Sequence, residues 1–309
     1  MRVCLVIIAV LLAGNVSAQE PRAKSEKQKD LRLSRYAYPD LNDPGKWTPT
    51  MNVDFAEIRT MDALHKAGWF PSKHGLRNYE YWCPDMIEFR PGEGLVIHSV
   101  RTDAHVCSLG VCPAEGVFTG GIETRQETPD GYINAFEQAY GFFEAEVQVP
   151  IGGGMWSAFW LQCDGTAKRG KQGKDGSEID IYESSFQENP ANAGHAIHYD
   201  AYQSPWYRVY GKIVTLPYSL YEGYHRYALL WTPTEYVFFI DGAPTWATAF
   251  GGVSQVKEIL RLTVEVREGP YGPYGQRIGS FGNRNDRGND FAIKSVKVWQ
   301  FSAELKTSP

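Results

Sequence analysis

The sequence predicts an all-β protein, an antiparallel sandwich folded as one domain, and three observations predict it. Turn residues recur every eight to fifteen positions between short runs rich in β-branched and aromatic residues, the rhythm of strands joined by short connections. Several of these runs alternate apolar and polar side chains, as a strand with one face in a core must. No internal repeat is evident, and no Gly/Pro/Ser-rich linker divides the body. With 309 residues, 43% apolar and 14% aromatic, the chain can bury one large core.

Met1 to Ala18 reads as a secretory signal: Arg2 supplies the positive end, Val3 to Ala13 the apolar stretch, and Val16-Ser17-Ala18 a small-residue cleavage site. The stretch is shorter than the roughly 20 residues that span a bilayer. A secreted protein, extracellular or periplasmic and without a membrane partner, is therefore expected. Residues 19–45 are expected to form an N-terminal tail, flexible or briefly helical, because Gln19 to Arg35 is rich in Lys, Arg, Glu and Gln. The folded domain is placed at residues 46–303, beginning around Trp47. A formal net charge of −5 without a long basic run argues against a nucleic-acid partner.

Cys4 leaves with the signal, and Cys83, Cys107, Cys112 and Cys163 remain. Cys107 and Cys112 flank Ser-Leu-Gly-Val and either close a small disulfide loop or stay reduced. A zinc site is disfavoured, since no Cys-x2-Cys pair occurs.

Within the domain, Gly94 to Val100 reads as a strand. Gly141 to Pro150 follows as another, with Glu144, Glu146 and Gln148 alternating against Ala145, Val147 and Val149, so one face is expected to be wet. Pro150-Ile151-Gly152-Gly153-Gly154 turns the chain. Met155 to Gln162 then puts Trp156, Ala158 and Trp160 on one face and Phe159 and Leu161 on the other. Two Trp rings lining a groove would stack against sugar rings; in a core they would only pack. Asp164 to Asp175, with four basic residues and little to bury, is expected to be a mobile excursion at the cleft rim.

Gly176 to Ser184 interleaves three acids with Ile and Tyr. Alternation places Glu178 and Asp180 on one face and Ile179 and Ile181 on the other. Glu183 would point the wrong way unless one extra residue, a β-bulge near Ile181-Tyr182, restores its parity. Three carboxylates on one face repel, and glycoside hydrolysis is a chemistry that uses them: one attacks the anomeric carbon and another, protonated, serves the leaving oxygen. Carboxyls about 5–5.5 Å apart imply retention of configuration. A solvated strand or a cation site is the bland alternative.

Farther on, Gly194 to Asp200 places Ala196, His198 and Asp200 together, so His198 is expected to hydrogen-bond the acid/base or a sugar hydroxyl, or else to be structural. Tyr224 to Pro233 and Glu235 to Gly242 read as a hairpin turned at Thr232-Pro233-Thr234, and Asp241-Gly242 signals a further turn. Glu265, on Ile259 to Glu268, either contacts substrate or pairs with Arg261 or Arg267. Gly269 to Asn289 reads as a long loop and Phe291 to Phe301 as a closing strand.

The chain resembles glycoside hydrolase family 16. The likeness rests on Glu178-Ile-Asp-Ile-Tyr-Glu183, on Tyr140-Gly141-x-Phe143-Glu144, on Gly154-x-Trp156-x-Ala158-Phe159-Trp160-Leu161 and on the hairpin from Tyr227 to Gly242. It implies a β-jelly roll with a concave cleft, endo-acting cleavage of a β-linked polysaccharide, and retention. Glu178 then resembles the nucleophile, Glu183 the acid/base, and Asp180 the auxiliary carboxylate, hydrogen-bonded to Glu178. Trp156, Trp160, His198 and Glu265 are the candidate substrate-binding residues. A β-1,3 or mixed-linkage glucan is the first expected substrate and a β-galactan of agar, carrageenan or host-glycan type the second. A non-catalytic carbohydrate-binding protein is the alternative of a different class. Ser157, where β-glucanases of the family carry Pro, and Leu262-Thr-Val-Glu-Val depart from the glucanase pattern. Arg261, Arg267, Arg277, Arg284 and Arg287 either pair with anionic groups such as sulfate or are ordinary surface residues. A monomer is expected, with no metal in the reaction and no cofactor required beyond an optional structural calcium.

Overall fold

The computed structural model describes residues 30–77, 80–102, 108, 116–151, 154–184, 189–202, 205–266 and 287–302. Two antiparallel sheets make a β-jelly-roll sandwich. One sheet runs, in spatial order, Arg208–Thr215, Asn192–Tyr199, Glu178–Ser184, Met155–Gln162, Ile259–Val266, Gly121–Glu123 and Phe70–Pro71. The facing sheet runs Ala243–Thr248, Tyr236–Ile240, His225–Trp231, Gly141–Gln148, Asp290–Phe301, Gly94–His98 and Ile87–Arg90, with Trp47–Asp54 also paired to Asp290–Phe301. No helix among the described residues is long and apolar enough to cross a membrane.

Side-chain parity builds the core between the sheets. Phe143, Ala145 and Val147 meet Phe159, Leu161, Ile179, Ile181, Leu260, Leu262 and Val264 in one buried cluster. Each fully buried Leu, Ile or Phe stabilises the fold by roughly 1.5–3 kcal/mol, so a shift of any strand by one residue would turn its apolar set outward. The hairpin forms as expected: Thr232 Oγ1 accepts from the backbone N–H of Thr234 and Glu235 at 3.2 and 3.1 Å. Asp241 and Gly242, both at positive φ, then turn the chain into Ala243–Thr248.

Three expectations are corrected. The segment from Asp30 onward is not a free tail. Leu31, Leu33, Tyr36, Tyr38 and Leu41 pack on Trp47, Phe142, Val237 and Phe239, the apolar outer face of the second sheet, and Asp30 accepts from Trp246 Nε1 and Tyr210 at 2.8 and 2.9 Å. The Lys and Glu residues that mark the stretch as a tail lie upstream at 19–29, while these five apolar side chains do the docking. For the same reason Glu144 is buried, with Tyr38 donating to its carboxylate, so that face of Gly141–Gln148 is only partly wet.

The Asp164 to Asp175 loop is also tied down. Gly173 N donates to Gly251 O at 2.8 Å and Gln255 N to Lys174 O at 3.1 Å. A Cβ on Gly165 would lie 1.7 Å from Asp175 O, so glycine permits the two short 3-10 turns to close on each other. Cys163, below that contact, is a free thiol whose pKa burial pushes up to about 11. Cys107 and Cys112 lie outside the described residues, as do Arg267, Arg277 and Arg284 and the signal at residues 1–18.

Candidate active site

The site is built on Glu178–Ser184, flanked by Met155–Gln162 on one side and Asn192–Tyr199 on the other. On the first side Ala158, Phe159 and Trp160 pair with Glu183, Tyr182 and Asp180, so Ile181 is the extra residue. On the second side four residues, Asp180 to Glu183, span only three of the partner, Ala196 to Gly194. This is a bulge at the predicted place. Ile181 and Tyr182 are consequently both buried in the core, at 0% and 2% exposure, and Glu183 returns to the face of Glu178 and Asp180.

A buried histidine braces the bulge. His195 Nδ1 lies 2.7 Å from Ile181 O and its Nε2 2.9 Å from Thr245 Oγ1. Burial holds its pKa down to about 4, so the ring is neutral, donates from Nδ1 to the carbonyl and accepts from Thr245.

The three acids line one cleft of about 350 Å³ with Trp156, Trp160, Gln162, Tyr202, Arg77, Arg261, Thr263 and Glu265. Glu178 Oε2 accepts from Tyr202 at 2.6 Å and from Gln162 Nε2 at 3.3 Å. Glu183 Oε1 accepts from Trp156 Nε1 at 2.8 Å. Burial first, then the negative charge of Asp180, push the Glu183 carboxyl well above the usual carboxylate range; His198 opposes, Glu178 adds a smaller push, and the Trp156 hydrogen bond opposes least. Asp180 is also pushed well up, by burial and then by Glu178 and Glu265. The protein therefore favours the protonated form of Glu183 in a cleft that also presents Glu178.

The expected Asp180–Glu178 hydrogen bond is not formed; both acids face His198. Its Nε2 is 3.0 Å from Asp180 Oδ2, off the line of a good hydrogen bond, and 3.7 Å from Glu178 Oε1. His198 thus sits by the nucleophile candidate and Asp180, and makes no hydrogen bond to Glu183. Tyr207 bonds and stacks on the far side of the ring at Nδ1. Burial and then the three acids push the Tyr207 phenol upward, so it stays a donor toward Nδ1, while Nε2 faces the acids. One ligand atom from each of Glu178, Asp180 and His198 lies within 4.8 Å of the others, a donor set that a divalent cation also accepts.

The aromatic and acidic wall differs from the expectation. Trp156 lines the cleft but spends its N–H on Glu183. Trp160 is 5% exposed, donates to Thr263 Oγ1 at 3.0 Å, and has the Arg261 guanidinium carbon 4.3 Å from its ring centroid, so that face is covered. Glu265 pairs with Arg77 at 2.9 Å, neither with Arg261 nor as an uncommitted acid. Arg261 instead reaches Glu123 at 2.7 Å. Sequence reasoning missed Tyr202, Gln162, Arg77 and His195 as site groups. Gln162 carried a signal, as it continues the Trp156, Ala158, Trp160 parity; Tyr202 and Arg77 come from connections and carried none.

With the geometry in place, comparison with known proteins places the chain. The family described as "Glycosyl hydrolases family 16" matches residues 119–249. A "Beta-glucanase" of Rhodothermus marinus is 25% identical over 245 residues, 78% of this chain and 72% of that protein. "Endo-1,3-1,4-beta-glycanase EglC" of Rhizobium meliloti (strain 1021) is 32% identical over 111 residues, 36% of this chain and 21% of that protein. Among solved structures, porphyranase B of Zobellia galactanivorans superposes with a TM-score of 0.63 at 19% identity, covering 85% of this chain and 96% of that one. A laminarinase of Flavobacterium sp. UMI-01 gives 0.58 at 18% identity, covering 82% and 100%. At such identities the structural likeness speaks for the fold alone. Fold and sequence matches together liken the chain to glycoside hydrolases of the jelly-roll class. The chain is similar to glycoside hydrolase family 16 over the segment that carries Glu178, Asp180 and Glu183.

Proposed function

We propose that this protein is a secreted, retaining endo-β-glycosidase. The observation that carries the reading is the bulge at Ile181, which brings Glu183 into the cleft of Glu178 and Asp180. Glu178 attacks the anomeric carbon while Glu183 gives its proton to the departing sugar oxygen. Glu183, now a base, takes a proton from the water that releases the second sugar from Glu178. Asp180 disfavours ionisation of Glu183 before the first step, and His198 faces the two other acids.

Two names among the relatives, a β-glucanase and an endo-1,3-1,4-β-glycanase, support a β-1,3 or mixed-linkage glucan as substrate. The second reading, a β-galactan bearing anionic groups, is favoured by Arg77 and Arg261 on the cleft wall. Incubation with laminarin, lichenan, agarose, carrageenan and mucin glycans, read by product size, separates the two. Glu178→Gln is expected to abolish turnover, by more than about 10³-fold, with polysaccharide binding retained; substantial residual hydrolysis in that variant would falsify the assignment. A carbohydrate-binding protein without catalysis would leave every polysaccharide on the panel uncut.

A further inference from the structure

We propose that Tyr202 is a positioning residue for the nucleophile: its hydroxyl fixes the Glu178 carboxylate by Oε2 and leaves Oε1 as the attacking oxygen. The inference rests on Glu178 being the group that attacks.

The direction of the hydrogen bonds follows from the donors. Arg261 Nη1 can only donate, and it donates to Gln162 Oε1 at 2.9 Å, which fixes the Gln162 amide. The amide nitrogen then faces Tyr202 and donates to its oxygen at 2.7 Å. Having accepted that bond, the Tyr202 hydroxyl gives its own proton to Glu178 Oε2 at 2.6 Å. Burial and the Glu178 charge push the phenol upward, so it remains a donor wherever the enzyme is folded. Near the other oxygen, Oε1, His198 Nε2 lies at 3.7 Å, beyond hydrogen-bond reach. Oε1 is therefore the oxygen left to form the bond to the anomeric carbon. As that bond forms, the bond to the departing sugar breaks and the Glu183 proton goes to its oxygen.

Packing does not explain why Tyr202 sits here, since its ring is 46% exposed and belongs to no buried cluster. The backbone that delivers it is strained. Asp200 and Ala201, neither of them glycine, have φ of 60° and 61°, a conformation that persists only where the surroundings impose it. Ala201 N donates to Thr166 O at 2.9 Å, and Gly170 N to Asp200 Oδ1 at 3.0 Å. The tied-down Asp164 to Asp175 loop thus holds the strained pair that aims Tyr202 at the nucleophile.

Tyr202→Phe removes only the hydroxyl, and Tyr202→Ala removes the ring too. The test compares both with the wild-type full chain on a soluble polysaccharide that the wild type cuts, with Glu178→Gln as control. For Tyr202→Phe, kcat is expected to fall about tenfold with KM within about twofold and the melting temperature unchanged, because the donor that fixes the nucleophile is gone. Wild-type kcat in Tyr202→Phe, with a raised KM only in Tyr202→Ala, would make Tyr202 a sugar-stacking surface and overturn the proposal. A lower melting temperature in Tyr202→Phe that accounts for the fall in kcat would make it structural and overturn it equally. Turnover surviving in Glu178→Gln would sink the nucleophile reading itself; a dead Glu178→Gln beside an unchanged Tyr202→Phe would sink this inference alone.

Discussion

His195 and His198 stand three residues apart on one strand, Asn192–Tyr199, and do opposite work. His195 faces inward, is 1% exposed, and spends both ring nitrogens on the fold, one of them on the carbonyl of the bulged Ile181. His198 faces the cleft and places its Nε2 beside two carboxylates. The odd spacing alone sends them to opposite faces. A histidine's role here is thus set by which side of the sheet it meets, and the catalytic face depends on the hidden one, because the bulge that turns Glu183 into the cleft is anchored from beneath.

The largest expected effect comes from the hidden ring. His195→Ala leaves Ile181 O without its buried donor and opens a cavity, and is expected to cost about 3–4 kcal/mol of stability. Denaturant unfolding measures that cost. Losing activity without that loss of stability would break the comparison, because it would make His195 part of the chemistry.

The same ring predicts a pH dependence. Its folded pKa, about 4, lies below the 6.5 of a free imidazole. As pH falls the unfolded chain binds the proton first, so stability present above about pH 6.5 is lost progressively down to about pH 4. The loss amounts to about 3 kcal/mol. Unfolding curves across that range should show it in the wild type and lose it in His195→Ala.

His198→Phe is expected to act in the reverse sense, lowering kcat by about 10–100-fold while the melting temperature stays within a few degrees. A large fall in melting temperature there would erase the distinction between the two faces. The smallest expected effect is that of Trp156→Phe. It removes the donor that favours the ionised form of Glu183, so the basic limb of kcat/KM should move to higher pH, by about one unit, with kcat falling less than tenfold.

Much of this site was legible in the sequence because strand parity is a local rule. Glu178 and Asp180 share a face by alternation, and the fault at Ile181 follows from requiring Glu183 to join them. His195 lay on the face assigned to no function, and its contact with Ile181 O depends on a neighbouring strand that parity does not name. Tyr202 and Arg77 reach the cleft from connections whose course is decided by long-range contacts. The docking of Leu31 to Leu41 was hidden for a different reason: the Lys- and Glu-rich residues 19–29 before it weigh on the composition of the whole stretch, which averages over the side chains that pack.

That docked segment bears on how the domain can be cut. A chain starting at Trp47 would keep every strand of the sandwich yet uncover Phe142, Val237 and Phe239 together. Such a bare greasy sheet invites self-association. Trimming to the first strand should therefore give a protein that precipitates, whereas one beginning ahead of Asp30 keeps its own cover.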